Sequence, residues 1–291
     1  MSARFGETNA EDWPNQGVDG NTAPFPQMIV PQRGTNIVRL NEGADLVLKP
    51  EPSNVIAITE VKDFIWRSSP QKPRFFRIAV QGHKLSGANG VLVKAMRGTA
   101  VVAQLRVFVL PEKTFKLAVR PLKTDPSTFH AKSLPDELSM RYQINEIWIP
   151  QANVRFELIK SSPAVIDDQG EIASALNVPF EQGVWHDTID LLTYMPVFAP
   201  HVDTNADFTI FVVRDISLFF GSDTSGATDP SSHKFAVVRQ DANARVWAHE
   251  LGHFLRQDGW HSDRPGDLMK SGGTGEKIPV DLAITIHQIW P

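Results

Sequence analysis

The chain contains no cysteine. Disulfides, thiolate metal ligands, a cysteine nucleophile and a cysteine-based inhibitory switch are therefore excluded. Compartment stays open, because a secreted chain can lack disulfides. No apolar run reaches the ~20 residues of a membrane span. The best candidate, residues 101–110, is interrupted by Gln104 and Arg106. No basic run stands out, and a net charge of −4 leaves no electrostatic footprint for nucleic acid. Residues 1–16 are polar and acidic and have no apolar core, so no cleavable signal peptide is expected. Synthesis in the cytoplasm follows from that reading, with any export left to a non-classical or dedicated route.

What is present is ordinary in bulk and uneven along the chain. With 42% apolar and 21% charged residues, this is a globular composition, and 291 residues suggest about two domains. Residues 1–35 carry Pro, Gly and Asn with little periodicity and read as an extended arm. From residue 36 to 121, short runs rich in Val, Ile and Phe recur at close spacing between turn residues. The expectation is an antiparallel β-sandwich-like domain serving delivery, recognition or structure. Residues 122–134, with Pro126 and nearby Pro121 and Pro135, read as a linker.

After the linker the period turns helical, and the remainder, 135–291, reads as a second domain of α+β or α/β class. Asp136 and Glu137 open a helix that Pro150 should end. Residues 154–159 alternate as a strand, 186–195 suit a helix, and 208–213 form the continuous apolar run of a strand covered on both faces. The Ser-, Thr-, Asp- and Gly-rich stretch 221–232 reads as an exposed loop. Residues 234–239 read as a strand leading into a helix over 242–257, with Asp241 as its N-cap and Asp258-Gly259 as its stop.

That last helix carries the chemistry. His249-Glu250-Leu251-Gly252-His253 is an HExxH pattern, and residues four apart lie on one helical face, so His249 and His253 can reach one metal ion. Glu250 stands where it can hold and deprotonate a metal-activated water. His261 follows the expected helix end, and Met269 lies just beyond it. With no thiolate available, the donors must be His, Asp or Glu. Gly252 is costly inside a helix, by about 1 kcal/mol relative to Ala, which suggests a close neighbour there.

The stretch 249–269 resembles the metzincin zinc metalloproteases, in particular the matrixin-like group, whose pattern is HExxHxxGxxH followed by a Met-turn. His261-Ser262-Asp263 and Pro265-Gly266-Asp267-Leu268-Met269 are similar to the segment from third ligand to Met-turn. The likeness extends over roughly residues 125–291, including the first helix and strand and the C-terminal helix. It implies a mixed twisted sheet, a long active-site helix and one catalytic Zn2+ held by His249, His253 and His261. It further implies Glu250 as general base and Met269 as a hydrophobic floor. Seven residues separate His253 from His261 where the family has five, and Arg256 occupies the family's glycine position. Asp258 and Asp263 remain alternative third ligands, since carboxylates also bind zinc. No tyrosine follows Met269, so the tyrosine ligand of some metzincins is absent.

The function so implied is a zinc endopeptidase acting on a protein or peptide, laid along the strand at 234–239. Alternatives from other classes are an amidase of cell-wall peptides and a non-catalytic metzincin-like binding protein. A bacterial toxin or effector, partnered by export machinery or an inhibitor protein, suits the two-domain layout, as does an intracellular protease.

Overall fold

Runs that alternate apolar and polar side chains become strands because a half-buried pleat needs one apolar face. In the computed structural model, which describes residues 5–6, 26–40, 45–61, 74–82, 84–87, 89–124, 131, 136–166, 191–214 and 225–291, eight strands come first. They are β1 (Phe5–Gly6), β2 (Gln27–Pro31), β3 (Thr35–Leu40), β4 (Val47–Glu51), β5 (Ile56–Val61), β6 (Arg74–Val80), β7 (Val91–Arg97) and β8 (Ala100–Leu110). Two four-stranded sheets result, ordered β1-β3-β6-β5 and β2-β8-β7-β4. Met28, Val38, Ile78, Val93 and Val107, drawn from both sheets, share one apolar core, which makes this a β-sandwich. Gly98, with φ +62°, closes the tight turn between β7 and β8.

Within the N-terminal arm, residues 26–31 dock onto the sandwich: Met28, Ile29 and Val30 are buried, and β2 pairs parallel to β8 inside an otherwise antiparallel sheet. Most of the remaining arm, residues 7–25, lies outside the described residues. Residues 122–124 are no linker. They complete β9 (Lys113–Thr124), where Leu122 is buried in a core of its own sheet.

The chain divides into two units, but not at one boundary. The first holds residues 1–113, 146–155 and 276–291; the second holds 114–145 and 156–275. The expected split at 122–134 therefore fails, because residues 146–155 and the C-terminal segment group with the sandwich. Helix α1 (Glu137–Ala152) contributes residues to both units. It continues past Pro150 and stops at Asn153, whose φ of +52° and backbone N–H to the Ile149 carbonyl (2.9 Å) make a left-handed cap. Gln151 ties the C-terminal segment down, donating to the Glu276 carbonyl and accepting from the Ile278 N–H. The last helix, α4 (Val280–Ile289), buries Val280, Leu282, Ala283 and Ile286 and packs against β2.

The second unit is built on a mixed sheet of β9, β10 (Val154–Ile159), β11 (Ala164–Ile166), β12 (Phe208–Val213), β13 (Gly226–Thr228) and β14 (Phe235–Arg239). Its order is β10-β9-β12-β14-β13, with β11 alongside β9. The pairs β9–β12 and β12–β14 are parallel, and β13 runs antiparallel to β14. Every residue of β12 is buried, as its unbroken apolar run requires. Phe211, Val213, Phe235 and Val237 face a cluster with Met195, Val197 and Phe198 of helix α2 (Leu191–Phe198). Phe208, in the alternate register, meets Phe254 of helix α3 (Ala244–Arg256) with ring centroids 5.0 Å apart. The sheet thus carries α3 on the face opposite α2. The start of the helix expected at 186–195 lies outside the described residues.

Stretch 221–232 departs most from expectation. Residues 226–228 form the edge strand β13, which places β14 in the interior with both sides paired. The edge strand among the described residues is therefore β13, not the strand at 234–239. Among the described residues no helix is long and apolar enough to cross a membrane.

Candidate metal centre

Helix α3 starts two residues later than Asp241 would place it. Asn243 is the N-cap, its side chain accepting from the Val246 N–H at 3.1 Å, while Asp241 pairs with Arg239. The helix ends at Gln257, which adopts φ +58° and donates to the His253 carbonyl; Gly259 is not the stop. Between these ends His249, Glu250 and His253 are all buried.

The three imidazoles converge, with ligand atoms of His249, His253 and His261 within 4.8 Å of one another. His249 Nε2 and His261 Nε2 are 3.3 Å apart. Two nitrogens bound to one tetrahedral zinc at ~2.0–2.1 Å would be separated by about 3.3–3.4 Å. The tautomers also fit. His249 Nδ1 lies 2.8 Å from the Leu268 carbonyl, and His253 Nδ1 lies 3.0 Å from the Asp258 carbonyl. A carbonyl can only accept, so in both rings Nδ1 carries the proton and Nε2 keeps its lone pair for a metal.

No family model, curated protein or solved structure matches this chain. The chemistry of the site is read from its own residues.

Burial drives the pKa of His249 and of His253 down to about 4, with smaller opposing contributions from the Leu268 and Asp258 carbonyls. Burial also lowers that of His261. Near neutral pH the rings are unprotonated, as metal ligands must be. Burial has the opposite sign for Glu250, pushing its pKa up to about 7 against the Thr228 hydroxyl and the Arg245 charge.

Sequence reading missed the seat of Glu250. Its carboxylate lies against β13, where Thr228 Oγ1 donates to Oε2 at 2.6 Å. A Cβ on Gly226 would stand 2.9 Å from Glu250 Oε1 and 2.9 Å from Val246 Cγ1, so a side chain there would have to push one of them aside. Gly and Thr in a polar stretch carried no signal for this, because the requirement comes from a helix packed on the strand. A cleft of about 720 Å³ opens over the three histidines and Glu250, walled by Gly226–Thr228 and His233 and by residues 271–273.

Met269 follows in the chain and packs against helix α3. It is fully buried, and its Sδ occupies the space a side chain on Gly252 would need. The same segment orients the first histidine. Leu268 offers its carbonyl to His249 Nδ1 and, at 2.8 Å, to Arg245 Nη2, which also donates to the Lys270 carbonyl. Ser262 locks on from the other side: its N–H donates to the Met269 carbonyl and its hydroxyl to buried Asp267.

The alternative ligands stand elsewhere. The Asp258 carboxylate accepts from Arg256 Nε at 2.7 Å and from the Trp260 N–H at 3.1 Å, and only the Asp258 carbonyl faces a ligand ring. Asp263 is exposed and outside the cluster. Any metal ion this cluster binds should therefore be held less tightly in His261→Ala and equally well in Asp263→Ala. Metal analysis after gel filtration reads both, and full occupancy in His261→Ala would remove this histidine from the ligand set.

Proposed function

We propose that the chain is a zinc-dependent endopeptidase of metzincin type. The observation that carries this reading is the convergence of three neutral imidazoles beside a buried, hydrogen-bonded glutamate at the floor of an open cleft. Zinc held by His249, His253 and His261 would supply Lewis acidity toward water and the scissile carbonyl. Glu250 accepts the proton of the attacking water and returns it to the leaving amine, a transfer helped by a proton affinity near the working pH. Thr228 keeps the carboxylate turned toward its strand while the proton is exchanged. An extended peptide pairs its backbone with the outer edge of β13, beside which no further strand lies among the described residues. The mixed sheet with an antiparallel edge strand and Met269 under the ligands support the metzincin assignment.

The test is zinc-dependent cleavage of an unfolded protein, run beside hydrolysis of peptidoglycan fragments. Loss of protein cleavage on chelation and its return with zinc is expected. Cleavage of the cell-wall peptides alone would move the activity to an amidase, and no hydrolysis of either would leave a binding protein.

Thr228 gives a sharper expectation. Thr228→Val keeps the β-branched shape and removes the hydroxyl, and a hydrogen bond to a charged group contributes about 1.5–3 kcal/mol. The variant should lose roughly tenfold to a hundredfold in kcat, with KM and zinc content near wild type, and Thr228→Ser should restore most of the rate. A change confined to KM would show that the hydroxyl serves the substrate and not Glu250.

A further inference from the structure

The two residues by which the segment between His253 and His261 exceeds the family spacing are built into a definite turn. After Gln257 reverses the chain, the Asp258 side chain accepts from the Trp260 N–H, an Asx-type turn. Arg256 closes over it from the last turn of α3. Its Nε donates to Asp258 Oδ2 at 2.7 Å, and its guanidinium lies 4.2 Å from the centre of the Trp260 ring. The Asp258 carbonyl, held by this turn, accepts from His253 Nδ1. The next residue after Trp260 is His261.

We propose that Arg256, Asp258 and Trp260 form a clamp that positions the second and third metal ligands, so that metal affinity is set partly by this surface cluster. The proposal rests on the three-histidine metal reading and names what tunes that site. His261 needs such a device more than its partners do. His249 and His253 are fixed by a buried helix, whereas His261 is exposed and sits on a segment of non-helical backbone. On its C-terminal side Ser262 is anchored to Met269; on its N-terminal side the clamp holds it. Ordering a free loop residue costs conformational entropy, and a loop already ordered in the metal-free chain spares binding that cost. A planar guanidinium can stack and pair at once, which lysine cannot.

The experiment titrates zinc alone into the metal-free full-length chain in competition with a chromophoric chelator, for wild type, Arg256→Met, Arg256→Lys and Trp260→Ala. Thermal unfolding of each metal-free variant is measured alongside. Arg256→Met and Trp260→Ala should each raise the zinc dissociation constant by on the order of tenfold, as losing a group that orients a metal ligand does. Arg256→Lys should fall between them and wild type, and the metal-free melting temperatures should stay close to wild type. Unchanged dissociation constants in both Arg256→Met and Trp260→Ala overturn the clamp, and so does weaker binding matched by a collapsed melting temperature, which would mark a general packing role. No substrate enters the measurement, so failure here leaves the peptidase reading standing, and an inactive wild type leaves the clamp measurable.

Discussion

Glu250→Gln is expected to abolish hydrolysis while zinc stays bound. Glutamine keeps the volume of the side chain and can still meet the Thr228 hydroxyl, so β13 and α3 remain packed. What it loses is a group that can take and return a proton, a function that contributes about 10²–10⁴-fold in rate. kcat should fall by at least that factor, and zinc content, read on the same sample, should match wild type. Residual activity within tenfold of wild type would remove Glu250 from the general-base role. The pH dependence carries a sign of its own. Burial sets the pKa of Glu250 at about 7 in the metal-free site, and a bound cation favours the carboxylate and draws the value down. The rate should therefore rise with pH along an acid limb below about 7 and level off once Glu250 is ionised. Glu250→Gln should remove that limb together with the rate.

Much of this centre is legible in the chain because its signals are local. The HExxH pattern needs only the helical period, and α3 supplies it over Ala244–Arg256. The continuous apolar run at 208–213 is a strand buried on both faces, as its composition demands. What escaped depends on partners distant in sequence. Gly226 and Ala227 have little strand propensity, yet 226–228 becomes β13 because β14 offers a ladder, and the close approach of Glu250 and Val246 favours a glycine at its start. Helix ends also differ from expectation. Gln257 and Asn153 take the left-handed caps, Gln257 bonding back to the His253 carbonyl and Asn153 to the Ile149 carbonyl, so neither helix ends at the nearby proline or glycine. Residues 276–291 join the first unit through Gln151 and α4, contacts that no shift of composition announces.

Gly252 turns this contrast into a measurement, because local propensity and tertiary packing predict opposite signs. On an open helix face, Gly→Ala stabilises by about 1 kcal/mol. At Gly252 a Cβ would overlap the Met269 sulfur and come 3.0 Å from its Cε. Met269 is flexible in isolation, but it is fully buried here and its backbone is held on both sides. Its carbonyl accepts from Ser262, and the preceding carbonyl, Leu268, accepts from His249 and Arg245. Moving Met269 aside thus disturbs the hydrogen bond that fixes the first ligand. Overpacking of this kind costs about 1–3 kcal/mol, enough to outweigh the helical gain. Gly252→Ala should lower the unfolding free energy of the metal-free chain, Gly252→Val should lower it further, and both should weaken zinc binding. The decisive comparison is the double variant with Met269→Ala. Shortening Met269 frees the space the new methyl group needs, so Gly252→Ala should be harmless or stabilising in that background, a coupling readable by denaturant titration of the four chains. A Gly252→Ala chain as stable as wild type, with no coupling to Met269, would mean that the methionine yields freely and does not form a fixed floor beneath the ligands.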